Sequence, residues 1–542
     1  MTGRVGTGDL PNADLPPALF FSRPPTQNTR PWLRWCAAGM LFFAFGLIPR
    51  AASATISYTV SLDHPEQHLF EVTMTVPVEG REVATALPAW NALYQIRDFA
   101  ERVRKVKADC QSLSEVPLTV QKVDKDDWRI SSPGPCAPGD HNLFVVQYSI
   151  FWDDPGPFDS QLNAHHAFVN PAELLMYIPG RRNEPVELRF TDLPSGWVLG
   201  SSIQSGRAAN YDQLADAPVL IGVLTEIHYE SDGAPIRVLI EGKVSDAVRL
   251  EAYLDKITDY ELQLMGPLRF DSPNRDYTFI FNIGAGADAG GGGMEHRNSC
   301  AIAGSSVEEV AAVAAHEFFH AWNVKRIRPQ SLEPVDYSRE QYTRALWFAE
   351  GVTSTYAAYT LERTGLWTKG QFYKDLAGQM ATLEGRPAHL WQSAEESSLD
   401  AWFEGLSEYR DPARSISYYN KGQILGVMLD LAIRDATDNH KSLDDVMRRM
   451  YEFYGAKGRF YDDSEGIRAA VEEVAGKDFH DFFAHYVAGT EDIPYGQFLS
   501  VAGLTLNAET HGGPLQYPIA EIAHPTDRQR RILDGLLHGT TD

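Results

Sequence analysis

The sequence predicts a multidomain α+β protein: an N-terminal β-sandwich-like domain, then a mainly helical domain. Three observations carry this. The chain has 542 residues, more than one hydrophobic core ordinarily serves. From Thr55 to about Arg237, apolar and polar residues alternate in short runs broken by Pro and Gly, the period-two pattern of half-buried strands. From about Leu239 the apolar residues recur at helical spacing, apart from one strand-like run over residues 277–283.

The extreme N-terminus is neither. Arg30 and Arg34 precede an apolar run over residues 36–48, and small residues follow at Ala52 and Ala54. A basic start, a short apolar core and an A-x-A end predict a secretory signal over residues 1–54, cut after about Ala54. The mature protein is then periplasmic or secreted, with no stable membrane insertion; an uncleaved N-terminal anchor is the alternative. A start at Met40 would remove the basic residues and destroy the signal. Elsewhere no tract is long and apolar enough to span a bilayer.

Composition excludes some partners. Hydrophobic residues make up 44% and charged residues 22%, as in ordinary globular proteins, and the net charge of −25 argues against nucleic-acid binding. Of four cysteines, Cys36 leaves with the signal. Cys110 and Cys136 are open to two readings, a disulfide in an oxidising compartment or two unrelated thiols, and Cys300 is expected to be a buried free thiol.

In the β domain, assigned to residues 55–237, strands are expected over 56–62, 70–76, 143–150 and 186–190. In the second domain, residues 238–506, helices are expected over 307–324, 338–362, 369–383, 421–434, 443–454 and 463–475. Residues 507–542 read as a polar tail with one amphipathic stretch at 529–537.

The chemistry concentrates in the helical half. His316-Glu317-Phe318-Phe319-His320 places two imidazoles one helical turn apart, able to reach one metal ion, with Glu317 beside them as a general base. Ser306 with Glu309 three residues on predicts the helix start. The competing reading is two core histidines at helical spacing. A catalytic zinc takes three protein ligands, and the next helical stretch offers Glu350 in Leu346-Trp347-Phe348-Ala349-Glu350-Gly351. Alone, Glu350 would read as a surface charge; among these apolar neighbours, and after His316 and His320, it is the preferred third ligand. Thr353 and Thr355 are candidate supporting hydroxyls or packing residues.

Upstream, the strand at 277–283 runs into a glycine-rich segment from Gly284 to Gly293, then Met294-Glu295. It lacks the spacing of a nucleotide-binding loop and is followed by no helix in the right place. A flexible hairpin is one reading. The other makes Gly292, Gly293 and Met294 a strand edge that a substrate backbone can approach, with Glu295 binding a free α-ammonium. Downstream, Tyr418-Tyr419 stands at a helix start, where a hydroxyl can stabilise an oxyanion or simply pack.

Four strings in this order, GGGGMEH, HEFFHAWNVKRIRP, LWFAEG and SISYYNKGQILGVMLDLAIR, resemble the M61 peptidases, the glycyl aminopeptidase family, related to the M1 aminopeptidases among the thermolysin-like zinc enzymes. Leu87-Pro88-Ala89-Trp90 and Ile96-Arg97-Asp98-Phe99 are similar to that family's N-terminal domain. The resemblance implies a thermolysin-like catalytic domain holding one Zn2+ per chain through His316, His320 and Glu350. It implies Glu317 as general base, Tyr419 rather than Tyr418 as the oxyanion tyrosine, and Glu295 as the amine anchor. The implied activity is removal of N-terminal residues, expected to be glycine or other small ones, from peptides with a free N-terminus. A zinc endopeptidase on the same scaffold is the alternative; a catalytically inactive peptide-binding protein is a further one. Two departures stand out. Asn91-Ala92-Leu93-Tyr94 replaces the family's Pro-Gly-Ser-Tyr turn, and the residues after Leu504 leave no room for the PDZ domain that many members carry.

Overall fold

The computed structural model describes residues 55–541 except 92, 112–117, 137–141, 204, 243–245, 269, 271–274, 284–290, 405–410 and 507–516. The expected export signal with Cys36, Ala92, the glycine run from Gly284 to Gly290 and part of the C-terminal tail lie outside the described residues.

Alternation builds the N-terminal sheets. Ile56–Ser61 and Leu69–Val78 pair antiparallel and bury every second side chain. They sit inside a six-stranded sheet whose order is Arg207–Ala208, Val186–Thr191, Ile56–Ser61, Leu69–Val78, Asn142–Phe151, Val103–Cys110. A three-stranded sheet (Glu82–Ala86, Asp127–Ser131, Thr119–Lys122) and a four-stranded one (Val198–Ser201, Val219–Gly222, His166–Val169, Gln161–Leu162) complete the layers. All three contribute to one core that includes Val60, Phe70, Val72, Ile130, Phe144 and Val219. Each large apolar side chain buried this way contributes about 1.5–3 kcal/mol. Cys110 and Cys136 are disulfide-bonded, tying the edge of the six-stranded sheet to the chain after Asp127–Ser131, and Cys300 is a buried free thiol.

The second half holds more strand than its sequence texture implied. Leu224–Ser231, Ala234–Glu241, Tyr277–Ile283, Ser299–Gly304 and Gly292–Glu295 form a five-stranded sheet in that order. Of these five, Leu224–Ser231 lies in the stretch the sequence predicts as β and Tyr277–Ile283 is predicted as a strand, while the segment holding Gly292–Glu295 is open between a flexible hairpin and an edge for substrate. Ser299–Gly304 is buried at every position and Ala234–Glu241 at most, so both lack the period-two signal. The expected boundary between residues 237 and 238 falls inside Ala234–Glu241, which runs parallel to Tyr277–Ile283 in the same sheet.

Two helices differ from expectation. The helix expected over 307–324 is Val307–Phe319. Beyond it Ile327 N–H bonds to Trp322 O at 2.7 Å and Arg326 Nη1 to Ala321 O at 2.6 Å, closing the chain into turns. The helix expected from Ser338 begins only near Trp347. Asp463 accepts hydrogen bonds from Thr343 Oγ1 (2.9 Å) and Arg344 N (3.1 Å), which holds this approach irregular. The other helices, Lys369–Glu384, Tyr418–Ala436, Leu443–Phe453 and Asp463–Ala475, lie close to their expected spans.

The amphipathic stretch near the C-terminus is the helix Asp527–His538, with Ile532, Leu536 and Leu537 buried, packed against the helices Thr353–Arg363 and Tyr418–Ala436. Arg363 donates to Leu536 O and buried Arg434 to Thr540 O. The first bond satisfies a carbonyl that the end of a helix leaves without a partner, and the second ties down the chain just beyond it. Among the described residues, no helix is long and apolar enough to cross a membrane.

Candidate metal centre

Helix Val307–Phe319 starts where its cap predicts, with a variation. Ser306 Oγ accepts from Glu309 N at 3.2 Å. Glu309, however, returns its carboxylate to Ser305 N (2.9 Å) rather than to Ser306. The apolar face buries Val307, Val310, Ala314 and Phe318, and Phe319 stacks on Tyr356 of the following helix, Thr353–Arg363, at 4.2 Å. This packing delivers His316 and His320 to one point. His320 sits at the helix C-cap and keeps right-handed helical torsions, so the two imidazoles still share a face.

Glu350 arrives on a π-helical turn, Trp347–Val352. Such turns insert an extra residue into a helix and frequently occur at functional sites. Glu350 Oε2 is 3.4 Å from His316 Nε2 and 3.1 Å from His320 Nε2, and the two Nε2 atoms are 2.9 Å apart. Metal–ligand lengths near 2.0–2.1 Å in a tetrahedron separate donor atoms by about 3.3 Å, so these three donors fit a zinc ion.

The outer contacts set the tautomers. His320 Nδ1 lies 2.6 Å from Asn323 O, a bond in which the ring nitrogen must donate, leaving Nε2 its lone pair. Ser354 Oγ donates to Glu350 O (3.0 Å) and is 3.3 Å from His316 Nδ1, so it receives the His316 proton. Asn323 Nδ2 donates to Phe348 O at 2.9 Å and to Thr353 Oγ1 at 3.1 Å. Sequence reasoning nominated Thr353 and Thr355. Thr353 does support the Asn323 turn, Thr355 packs against Gln423 O, and Ser354 and Asn323 were missed. The i, i+4 spacing of Glu350 and Ser354 was the available signal for Ser354.

Electrostatics show a site that demands positive charge. Burial disfavours a charged His320, yet Glu350, Glu295 and Glu317 outweigh it and hold its pKa up to about 10. Burial together with His320 lowers His316. Burial would raise Glu350, but His320 and His316 hold it well below the usual carboxylate range. Glu317 is pushed up to about 8, first by burial and then by Glu295 and Glu350. It is 5% exposed and its Oε2 has no hydrogen-bond partner, the condition of a carboxylate facing a cation and its solvent.

The strand Gly292–Glu295 passes directly over Glu317. A Cβ on Gly293 would lie 2.4 Å from Glu317 Oε1, so only glycine lets the strand come this close. Ligand-type atoms of Glu295, Glu317 and His320 lie within 4.8 Å of one another. Glu295 also pairs with Lys325, Nζ to Oε1 3.6 Å, and Lys325 reaches Asp216 of the N-terminal half at 3.2 Å. Met294 is buried, and His296 Nδ1 and Arg297 N reach the same Asp216 carboxylate at 3.0 and 2.8 Å.

The tyrosines part company. Tyr418 is 7% exposed and joins the core, while Tyr419 is 36% exposed with its ring 6.1 Å from that of His316. Their helix touches the Glu350 turn through two glycines: a Cβ on Gly422 would lie 2.2 Å from Trp347 O, and one on Gly351 2.4 Å from Gly422 Cα. Gly422→Ala is therefore expected to cost about 1–3 kcal/mol by overpacking, read as a lower Tm, and to weaken metal retention, because the helix would push on the Glu350 turn.

Tyr94, also missed, reaches the site from the N-terminal half. Its hydroxyl pKa is raised by burial, then by Glu350 and Glu295. Its ring packs edge-on against Trp402, which packs edge-on against Trp90. The LPAW string is explained by the same join, where Trp90 Nε1 donates to Asp336 O (2.7 Å) and Ala89 N to Tyr337 O (2.8 Å), while Arg97 of the IRDF string holds Asp159 and Glu173 within the N-terminal half.

Fold and site together fit a peptidase with a candidate metal centre. Residues 309–425 match the M61 glycyl aminopeptidase and residues 57–223 match the peptidase M61 N-terminal domain. Together they span more than half of the chain, and the chain belongs to the M61 peptidase family. It is similar in structure to an aminopeptidase N family protein from Idiomarina loihiensis, at 26% identity and TM-score 0.77, covering 84% of this chain and 79% of that one. It also shares the fold of an M1 zinc metallopeptidase from Deinococcus radiodurans, at 15% identity and TM-score 0.50, covering 81% and 94%. No curated protein sequence matches the chain.

Proposed function

We propose that the protein is a zinc aminopeptidase, with one Zn2+ per chain held by His316, His320 and Glu350, acting on peptides with a free N-terminus. The observation that carries the reading is the convergence of three donor atoms within 2.9–3.4 Å beside the unpartnered Glu317 carboxylate. Zinc, when bound, supplies Lewis acidity: it acidifies water and polarises the carbonyl. Glu317 takes the proton of the attacking water and returns it to the leaving amine. Tyr419, on the solvent side of His316, donates its hydroxyl to the developing oxyanion. The edge of Gly292–Glu295 carries the substrate backbone as an added strand. Glu295 binds the α-ammonium and sets where the chain is cut. The family name supports a preference for N-terminal glycine or another small residue. Export to the periplasm or outside the cell is part of the same reading, on the strength of residues 1–54 and the Cys110–Cys136 disulfide.

Aminoacyl-anilides, free and N-acetylated, test this. Free substrates are expected to be cleaved at least about tenfold faster, consistent with a charge-assisted contact worth about 1.5–3 kcal/mol. Glu295→Ala should erase the difference while retaining zinc. Equal rates on both forms in the wild type would remove the amine-anchor role. Tyr419→Phe is expected to lower kcat about 10²-fold with little change in KM, because its hydrogen bond matters in the transition state. A larger loss in Tyr418→Phe would reassign the role.

A further inference from the structure

A cavity of about 600 Å³ lies beside Glu295: Glu295 and Tyr94 line it, and His316, Glu317, His320 and Glu350 do not. The strand Gly292–Glu295 leads into it. That strand is last in its sheet, and its outer edge pairs with no other described strand. Gly293 marks the point above Glu317. Glu295 is two residues further, about 6.6 Å at roughly 3.3 Å per residue. His296, Arg297 and Asn298 follow and line the cavity wall. A peptide added along this edge, with its scissile bond at Glu317, passes Glu295 within one or two residues and then enters the cavity.

An enzyme that took only single residues would need a closed end at Glu295. Here Glu295 itself lines a cavity, and it does not depend on a substrate amine for its counter-charge, because Lys325 stands 3.6 Å away, itself held by Asp216. The walls offer Trp90 and Tyr337 for side chains and the amides of Asn91, Asn170, Asn210 and Gln213 for a peptide backbone. The volume lies in the range of sites that enclose whole ligands, roughly 300–1,000 Å³.

We propose that this cavity is an extended subsite for residues N-terminal to the scissile bond, so that the enzyme also releases short peptides of about two to four residues. The proposal rests on the reading of Glu295 as the site of the substrate's N-terminus. The reaction remains the hydrolysis of one peptide bond by one water, giving a carboxylate and an amine. When the chain runs through, Lys325 neutralises Glu295 and the substrate's own N-terminus lies in the cavity.

The test uses the full-length, zinc-loaded protein and a peptide series in which one fixed bond is preceded by one, two, three or four residues. Each peptide is supplied free and N-acetylated, and products are read by mass spectrometry. Extended peptides should be cut at the fixed bond within about tenfold of the single-residue rate. Acetylation should cost the extended peptides less than about threefold, against at least about tenfold for the single-residue substrate. Ala209→Trp, which fills the cavity from an exposed wall position, should lower cleavage of extended peptides at least about tenfold and leave single-residue release in place. Stepwise release of single residues only, with every acetylated peptide intact, overturns the proposal while the aminopeptidase reading stands. Unchanged cleavage of extended peptides by A209W also overturns it. No hydrolysis of any free peptide would overturn the peptidase reading itself.

Discussion

Glu317→Gln is expected to retain zinc and lose about 10²–10⁴-fold in kcat, the range for removal of a positioned general base. The amide keeps the shape of the carboxylate and accepts hydrogen bonds, but it cannot take a proton at neutral pH. Solvent offers little substitute, since Glu317 is 5% exposed and covered by Gly293. Burial followed by the neighbouring Glu295 and Glu350 pushes its pKa up to about 8; a cation held at His316, His320 and Glu350 would oppose that push. Elemental analysis and initial rates on the same preparation check this. A zinc-replete Glu317→Gln enzyme within tenfold of wild type would rule out the assigned role.

The second large effect is expected at Glu350. Zinc held by the folded donors and not by the unfolded chain should raise the Tm of the wild type. At free zinc a hundredfold above Kd the gain is about 2.7 kcal/mol. Glu350→Gln should remove most of that shift and all measurable turnover. The loss has two parts. A neutral amide oxygen is a weaker ligand than a carboxylate, and the charge that offsets burial of His320 and His316 is gone. Thermal melts with added zinc and with chelator check it; an equal zinc-dependent shift in Glu350→Gln would show that Glu350 is not a ligand.

The donor set was legible because its information is local. His316 and His320 are one turn apart on a single helix, and Glu350 lies on the next hydrophobic segment, so period and composition sufficed. The tyrosine pair was half legible: both stand at a helix start, and only packing put Tyr418 in the core and turned Tyr419 toward His316. The five-stranded sheet was mostly illegible, because strands buried on both faces lose the alternation that distinguishes them from buried helix. The start of the Glu350 helix was misplaced for a different reason, since Asp463, more than a hundred residues away, occupies the backbone groups that a helix would have used.

By itself, the sequence determined the β-rich N-terminal half, most helices of the second half and the residues of the candidate metal site, since each depends on spacing within one segment. Only the tertiary structure decided what surrounds that site. Sheet register set Gly293 on Glu317 and Glu295 two residues beyond, and the N-terminal half brought Tyr94 and Asp216 to the same place. Those relations join segments far apart in the chain. They are fixed by contacts across the two halves, Phe168 and Leu220 with Leu239, Ile280 and Ala301 among them, which no periodicity within a segment encodes.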